Sequence, residues 1–476
     1  MISPLSLNPL KVSTRQLLED PQSVKAYELE TSFGNTDLLK LLDLLGLAGP
    51  FTVESPWELR DPAGTHLIHA GGYAAVPFGE SYPPLVEFVH EFLRTNRQLG
   101  LPQQSLSEWR GALEANLVSL LASVAPSHAG SKVYFGNSGA EAIETAIKMA
   151  RAARPQGSTF INFERAYHGK TMGALALTPN EEYQGAFRPL APDVVTLPYG
   201  DLDALERALK QLGTKACAIV VEPVLGEGGV IEPPAGFLEG LGRVAASAGV
   251  LVIADEIQTG LGRTGHWFAS VAAGLEPDII TLAKPLGGGL VPIGAAIARK
   301  DVFQALLPGL ASKRHSSTFS GGTLAMAVGL KSLELLVEGR YDQRAAEAGR
   351  YGRERLEAMA QANPNLIESV RVSGMLFAIS LQPVVGFKVP GVSEEDVQTL
   401  AAALMLRELH GAGVHGCYSN NAHRTMRLTP ALNMPQELLS RMFDRVEALV
   451  DRTPSSFAML RRLPMPRMLA LARLAF

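Results

Sequence analysis

The sequence has little cysteine, no excess of positive charge and no long apolar run. Its two cysteines, Cys217 and Cys417, lie far apart. This excludes a disulfide framework and a cysteine-based zinc site, and it favours a reducing compartment, so we expect a cytoplasmic protein. The formal net charge of −4 argues against a broad nucleic-acid surface. No apolar stretch could span a bilayer, and residues 1–17 lack the apolar core of a signal peptide.

Several familiar catalytic motifs are also absent. The sequence contains no Walker loop, no Gly-x-Ser-x-Gly elbow and no His-Glu-x-x-His, and its histidines are scattered. What is present is ordinary for a globular enzyme: 46% of the residues are hydrophobic and 19% are charged. At 476 residues the chain exceeds one small core, so we expect one large domain with smaller lobes.

The middle of the chain alternates between short β-rich runs and helical segments. The β-rich runs are SKVYFGNS, STFINFE, DVVTLPY, ACAIVVEP, GVLVIADE, DIITLAK and GAAIARK. This alternation predicts an α/β fold with a mostly parallel sheet between helices. We expect helices and loops in residues 1–60. We assign residues 1–90 and 341–476 to a small α+β domain built from both termini, and residues 91–340 to the large domain.

An acid and an amine stand at the ends of two of these runs. Asp255 ends the apolar part of VIADEIQTGLGRTG, and Lys284 ends that of ITLAKPLGGG. Ligands of open α/β sheets bind beyond the carboxyl ends of the strands. Pyridoxal 5'-phosphate needs a lysine for an imine and an anion against its pyridinium nitrogen. The pair therefore indicates this cofactor, although Asp255 could instead cap a turn and Lys284 could be a surface lysine.

Other strand ends carry residues that suit the same cofactor. The turn at 138–140 opens a helix, whose free N–H groups favour a phosphate. Tyr167 could stack on a flat ring beside His168. Glu222 follows a strand, and Glu227 lies in a glycine-rich turn that could line a pocket. Each feature taken alone has a structural interpretation: a capped helix, a packed tyrosine, a satisfied histidine or solvated acids.

In order along the chain, these motifs resemble the class III pyridoxal-phosphate-dependent aminotransferases of fold type I. The matching strings are FGNSGAEA, AYHGKTMGA, VVEPVLGEGGV, LVIADEIQTGLGRTG, LAKPLGGG and STFSGG, within residues 65–435. The resemblance implies that Lys284 forms the Schiff base and shuttles the proton, and that Asp255 pairs with the pyridine nitrogen. The other implied contacts are Gln258 at the ring hydroxyl, Tyr167 stacked on the ring, and Ser138, Gly139 and Ala140 at the phosphate.

The resemblance also implies a substrate switch and a dimer. Arg427 matches the arginine that binds the carboxylate of 2-oxoglutarate or glutamate, and Glu227 matches the acid that pairs with it otherwise. Thr318 would reach the phosphate of the partner subunit's cofactor in a homodimer. The strings LPYGDLDALERAL, EPVLGEGGVIEPP and NNA (420–422) are most similar to the putrescine and ornithine-type ω-aminotransferases.

We therefore predict a ping-pong transfer from a diamine or ornithine-like amine to 2-oxoglutarate or pyruvate. An acetylornithine or GABA-type aminotransferase and a fold type I aminomutase or racemase remain alternatives. The sequence departs from the family pattern at Ser320-Gly321-Gly322-Thr323, which affects the expected substrate channel. The apolar, basic tail at 458–476 is expected to pack as a terminal helix rather than to contact a membrane.

Overall fold

The computed structural model describes residues 11–21, 24–45, 47–95, 105–385 and 393–460. The strands are β1 (Thr52–Ser55), β2 (Glu58–Arg60), β3 (His66–His69), β4 (Lys132–Gly136), β5 (Thr159–Phe163), β6 (Asp193–Leu197), β7 (Ala216–Val221), β8 (Leu251–Asp255), β9 (Ile279–Leu282), β10 (Gly294–Ala298), β11 (Ile367–Ser373), β12 (Leu376–Leu381), β13 (Val414–His415), β14 (Cys417–Tyr418) and β15 (Thr425–Leu428).

The helices pack against the central sheet and alternate with the strands along the chain. They are α1 (Thr14–Glu19), α2 (Ala26–Phe33), α3 (Thr36–Leu45), α4 (Pro83–Leu93), α5 (Glu108–Val124), α6 (Gly139–Ala153), α7 (Met172–Ala176), α8 (Glu181–Gln184), α9 (Leu202–Leu212), α10 (Phe237–Ala248), α11 (Ala269–Ala272), α12 (Lys300–Leu306), α13 (Thr323–Glu338), α14 (Tyr341–Ala362), α15 (Glu394–Gly411), α16 (Gln436–Asp451) and α17 (Ser456–Leu460).

The central sheet has seven strands in the order β4-β10-β9-β8-β7-β5-β6. The neighbours from β9 to β6 pair in parallel, and β10 runs antiparallel to both β9 and β4. Every residue of β7 is buried, as expected for a strand with helices on both faces. This architecture confirms the predicted α/β fold with a mostly parallel sheet.

Alternate residues of the central strands enter two different cores. Phe160, Val220 and Ile253 pack in a cluster that includes buried side chains of α6. Ile219 and Val252, one position away, pack in the larger cluster that includes α10 and α13. A fully buried side chain of this size contributes about 1.5–3 kcal/mol, so this alternation fixes which side chains face each core.

Two smaller sheets flank the central one, in the orders β1-β2-β3-β13 and β11-β12-β15-β14. In the first sheet β13 pairs in parallel with β3, which joins the two ends of the chain. The expectation of only helices and loops in residues 1–60 was wrong, because β1 and β2 form a hairpin there. These strands have only four and three residues, too few for a clear alternating pattern. The boundaries at residues 90 and 340 stay a prediction.

Two arginines connect the loops of the central sheet to the β11-β12-β15-β14 sheet. Arg263, in the loop after β8, donates through Nη1 to the carbonyl of Pro430 at 2.6 Å. Arg371, on β11, donates through Nε to the carbonyl of Gly229 at 2.7 Å. The two parts are thus joined by directed polar contacts as well as by the shared apolar core.

In the part of the chain that the structure describes, no helix has both the length and the apolar character to cross a bilayer. The predicted terminal helix falls mostly on residues 461–476, which lie outside the described residues.

Candidate active site

A cavity of about 520 Å³ lies beyond the carboxyl ends of β5, β7, β8 and β9 and beside the start of α6. Its wall contains ten of the residues predicted from the sequence, namely Ser138, Gly139, Ala140, Tyr167, His168, Glu222, Glu227, Asp255, Gln258 and Lys284. These residues are spread over some 150 positions of the chain, and the parallel strands bring them to one edge of the sheet.

Asp255, the last residue of β8, is held by three hydrogen bonds. Its Oδ2 lies 2.7 Å from Nδ1 of His168, and its Oδ1 accepts from the main-chain N–H of Ile257 and the hydroxyl of Thr281 at 3.1 and 3.2 Å. Burial lowers the pKa of His168, but the bond to Asp255 more than offsets this and raises it overall. A carboxylate accepts about four hydrogen bonds, so Asp255 keeps room for a further cationic N–H.

Lys284 opens a short 3₁₀ turn directly after β9. Its side chain is partly buried and makes no hydrogen bond or ion pair with the residues that the structure describes. Burial lowers its pKa, and Arg427 adds to this effect, while Glu227, Glu222 and Asp255 oppose it. The result is an amine that loses its proton more readily than a surface lysine does, as a nucleophile or base requires.

The turn at Ser138 is a helix cap, as the structural interpretation of the sequence proposed. The Ser138 hydroxyl accepts from the N–H of Glu141 at 3.2 Å, and the Glu141 carboxylate accepts from the N–H of Asn137 at 2.5 Å. The N–H groups of Gly139 and Ala140 have no partner in the described chain and border the cavity. The cap therefore leaves two free donors at the positive end of a 15-residue helix.

Glu222, just past β7, fixes two loops of the cavity wall. Its Oε1 accepts from the N–H of Tyr167 at 2.8 Å, and its Oε2 accepts from the N–H of Gly226 at 3.0 Å. Burial raises its pKa to about 7, against the opposing effect of His168. Glu222 thus holds the main chain at Tyr167 and the start of the Glu227 turn relative to each other.

Glu227 and Arg427 form a buried ion pair between the cavity and the smaller sheet. Arg427, on β15, is fully buried and donates through Nη2 to Oε1 of Glu227 at 2.5 Å. Its guanidinium carbon also lies 5.7 Å from the centroid of the Tyr73 ring. Burial raises the pKa of Glu227, but the charges of Arg427 and Lys284 lower it overall, so the acid stays ionised.

Gln258 and Asn420 complete the polar shell of this pair. Gln258 accepts from Nη1 of Arg427 at 3.0 Å and donates to Glu227 at 3.4 Å. It was expected at the cofactor's ring hydroxyl; that role stays a prediction, because its amide is engaged with the ion pair although the side chain lines the cavity. Asn420 was not predicted as a site residue. The string NNA was the available signal, but a sequence does not show where a loop amide points.

Thr318 does not line the cavity of its own chain. It is exposed in the loop before α13. Its neighbour Ser317 accepts from Nδ2 of Asn137 at 3.1 Å, which holds this loop against the cap of α6. The expected contact of Thr318 with the cofactor of a partner subunit therefore stays a prediction.

The polar groups that line the cavity fit pyridoxal phosphate. The two free N–H groups at α6 suit the phosphate, the Asp255 carboxylate suits the ring nitrogen, and Lys284 suits the aldehyde. Gly169, at φ +123, approaches Ala140 so closely that a Cβ would lie 2.8 Å from that methyl group. A side chain at this position would therefore clash with the start of α6, so glycine allows the wall to pack closely there.

Comparison with known proteins supports this interpretation. The family model for aminotransferase class-III matches residues 57–450. An ornithine aminotransferase from Toxoplasma gondii is 26% identical, with a TM-score of 0.77, and the match covers 92% of this chain and 98% of that one. An acetylornithine aminotransferase from Elizabethkingia anophelis is 27% identical, with a TM-score of 0.71 and coverage of 90% and 98%.

An amine transaminase from an uncultivated Pseudomonas species shares the fold at 24% identity, with a TM-score of 0.74 and coverage of 85% and 95%. The family match spans most of the chain and contains the cavity. The chain belongs to the class-III aminotransferases, fold type I transaminases that use pyridoxal phosphate to exchange an amino group between a small amine and a keto acid.

Proposed function

We propose that this aminotransferase takes its amino group from the terminal amine of a diamine or ornithine-like compound and passes it to 2-oxoglutarate or pyruvate. The buried pair of Glu227 and Arg427, beside the cavity that contains Lys284, carries this proposal. An enzyme for one kind of substrate needs only a fixed pocket. A paired arginine can instead present either a neutralised or a cationic surface.

The pair suits two unlike substrates in alternation. While Glu227 neutralises Arg427, that end of the cavity accepts a substrate without a carboxylate. When a substrate carboxylate approaches, it can replace Glu227 on the guanidinium, for which a planar, permanently charged group is well adapted. A racemase or aminomutase needs no such exchange, because its substrate and product carry the same groups.

The other residues of the cavity hold the cofactor and move one proton. Bound pyridoxal phosphate supplies an electron sink for the carbon that carries the amino group. Lys284 Nζ, whose pKa burial lowers, accepts and returns the proton of that carbon. Asp255 would keep the ring nitrogen protonated, and His168 holds the Asp255 carboxylate through its Oδ2. Ser138, Gly139 and Ala140 would bind the phosphate, and Tyr167 would pack on the ring.

The functional unit in this proposal is a homodimer in which Thr318 serves the partner's site. Support comes from the exposure of Thr318 and of the large apolar side chains Leu310 and Phe319 in the same loop region. An interface between subunits in this region would cover these exposed apolar side chains.

A panel of amine donors with each keto acid tests the proposed substrates. Diamines and ornithine should turn over with 2-oxoglutarate or pyruvate, whereas Lys284→Ala should lose both turnover and the visible absorbance of the lysine-bound cofactor. Full activity in that variant would exclude the assigned role of Lys284.

The second candidate, an acetylornithine aminotransferase, is favoured by the Elizabethkingia anophelis structure. Strong turnover of acetylornithine with weak turnover of free diamines would select it.

A further inference from the structure

Asn420 holds the Glu227 carboxylate from the side opposite Arg427. Its main-chain N–H and its side-chain Nδ2 both donate to Oε2 of Glu227, at 3.1 and 2.7 Å. The other oxygen, Oε1, takes Nη2 of Arg427 and the amide of Gln258. One oxygen thus belongs to the arginine side and the other to Asn420.

The contacts around Asn420 fix the direction of its amide. The hydroxyl of Tyr183 donates to its Oδ1 at 3.4 Å, which leaves Nδ2 to face Glu227. The next residue, Asn421, donates its N–H to the main-chain carbonyl of Glu227 at 3.1 Å. Two consecutive residues of one loop therefore hold the acid, one at its side chain and one at its backbone.

A buried carboxylate that loses its cation still needs donors. If a substrate carboxylate replaces Glu227 on Arg427, the acid remains ionised in a nearly closed site, where an unpaired charge is costly. When Arg427 is taken by the substrate, the two Asn420 donors remain available to Oε2 of Glu227. These donors do not involve Oε1, the oxygen that Arg427 uses. In the paired state Arg427 already stabilises the acid, so the loss of Asn420 matters less there.

We propose that Asn420 is a positioning residue that stabilises Glu227 after it has released Arg427, and so sets the affinity for carboxylate-bearing substrates but not for simple amines. This inference rests on the proposed function, since it assumes that both substrate types use the cavity. It assigns to Asn420 a control over specificity that is separate from the chemistry at Lys284.

The test compares Asn420→Ala and Asn420→Asp with Asn421→Ala in the holoenzyme. Asn421 is the matched control, because its side-chain Nδ2 donates to the carbonyl of Ala166 at 2.8 Å rather than to the Glu227 carboxylate. The variant keeps the main-chain N–H that Glu227 accepts. Asn420→Ala removes one hydrogen bond to a charged group, so we expect the affinity for 2-oxoglutarate to fall roughly tenfold. Asn420→Asp adds a like charge beside Glu227 and should lower it further.

Each half-reaction is followed separately from the cofactor's absorbance, and glutarate binding is measured by calorimetry. We expect both Asn420 variants to bind 2-oxoglutarate and glutarate more weakly than the wild-type enzyme does. The KM and kcat of the half-reaction with a simple amine should change less than about threefold. Asn421→Ala should change both half-reactions to the same extent.

Equal losses in both half-reactions of the Asn420 variants, or an unchanged glutarate affinity, would overturn the inference and leave Asn420 as a purely structural residue. Failure of the proposed function has a different signature, because the wild-type protein would then turn over no amine with either keto acid.

Discussion

Replacement of Glu227 by glutamine isolates the acid's role in substrate choice. The change keeps the shape of the side chain and removes its negative charge, so Arg427 remains buried without its counter-ion. The Asn420 donors would then face either an amide NH₂ or a weaker carbonyl acceptor. A substrate carboxylate would no longer have to displace an anion, whereas a simple amine would meet an uncompensated cation.

The geometry of the pair sets the size of the effect. A hydrogen bond between charged groups contributes about 1.5–3 kcal/mol, and Arg427 makes one such bond to Glu227. Because about 1.4 kcal/mol corresponds to a tenfold change, we expect glutarate to bind about 10–150 times more tightly to Glu227→Gln. The kcat/KM for amines without a carboxylate should fall by a comparable factor.

Calorimetric titration of the holoenzyme with glutarate measures the first effect, and the amine half-reaction measures the second. Glu232→Gln is the control, because Glu232 is an exposed acid five residues further along the same segment. The expected change in glutarate affinity is opposite in sign to that for Asn420→Ala, so the two variants test the same account in opposite directions. Unchanged or weaker glutarate binding in Glu227→Gln, or the same gain in the control, would refute this account of the pair.

Two further predictions concern stability and assembly. Burial lowers the pKa of His415 from 6.5 to about 4; His69 and His410 add to this effect, and Glu80 opposes it. Because His415 takes up its proton at a higher pH in the unfolded chain than in the folded one, the free energy of unfolding decreases as the pH falls. The contribution of neutral His415 to stability is complete above pH 6.5 and is lost as the pH falls toward 4. Between about pH 8 and pH 4.5 the wild-type protein should lose about 2.5 kcal/mol more than His415→Gln in scanning calorimetry, and parallel pH profiles would contradict this. If Thr318 serves the partner's site, Thr318→Ala should be impaired and co-expression of it with inactive Lys284→Ala should restore activity, since each mixed dimer has one intact site; no recovery in light-scattering-verified mixed dimers would count against it.

The placement of Asp255 and Lys284 at one cavity could be predicted because it depends on local pattern. Asp255 and Lys284 each follow an apolar run, and parallel strands bring such ends to one edge. The antiparallel direction of β10 was less accessible, since its sequence reads like those of the parallel strands in the same sheet. The hairpin of β1 and β2 was missed because strands of three and four residues show too little alternation.

The polar shell of the ion pair shows where prediction from sequence ends. Arg427 and Glu227 were assigned together from a family resemblance, and the structure places them in contact. The orientation of Gln258 toward Arg427 and the contact of Asn420 with Glu227 depend on how a loop from residue 420 folds over one from residue 227. Nothing in either local sequence encodes that approach.

The position of the ion pair also has a mechanical consequence. Glu227 lies in a loop of the central sheet, and Arg427 lies on β15 of the β11-β12-β15-β14 sheet. The pair therefore links these two parts of the molecule. If an acceptor replaced Glu227 on Arg427 as proposed, this link would open, while the contacts of Arg263 and Arg371 would not be affected directly. The stiffness of the molecule would then differ between its two half-reactions, and thermal motion would report which kind of substrate the enzyme holds.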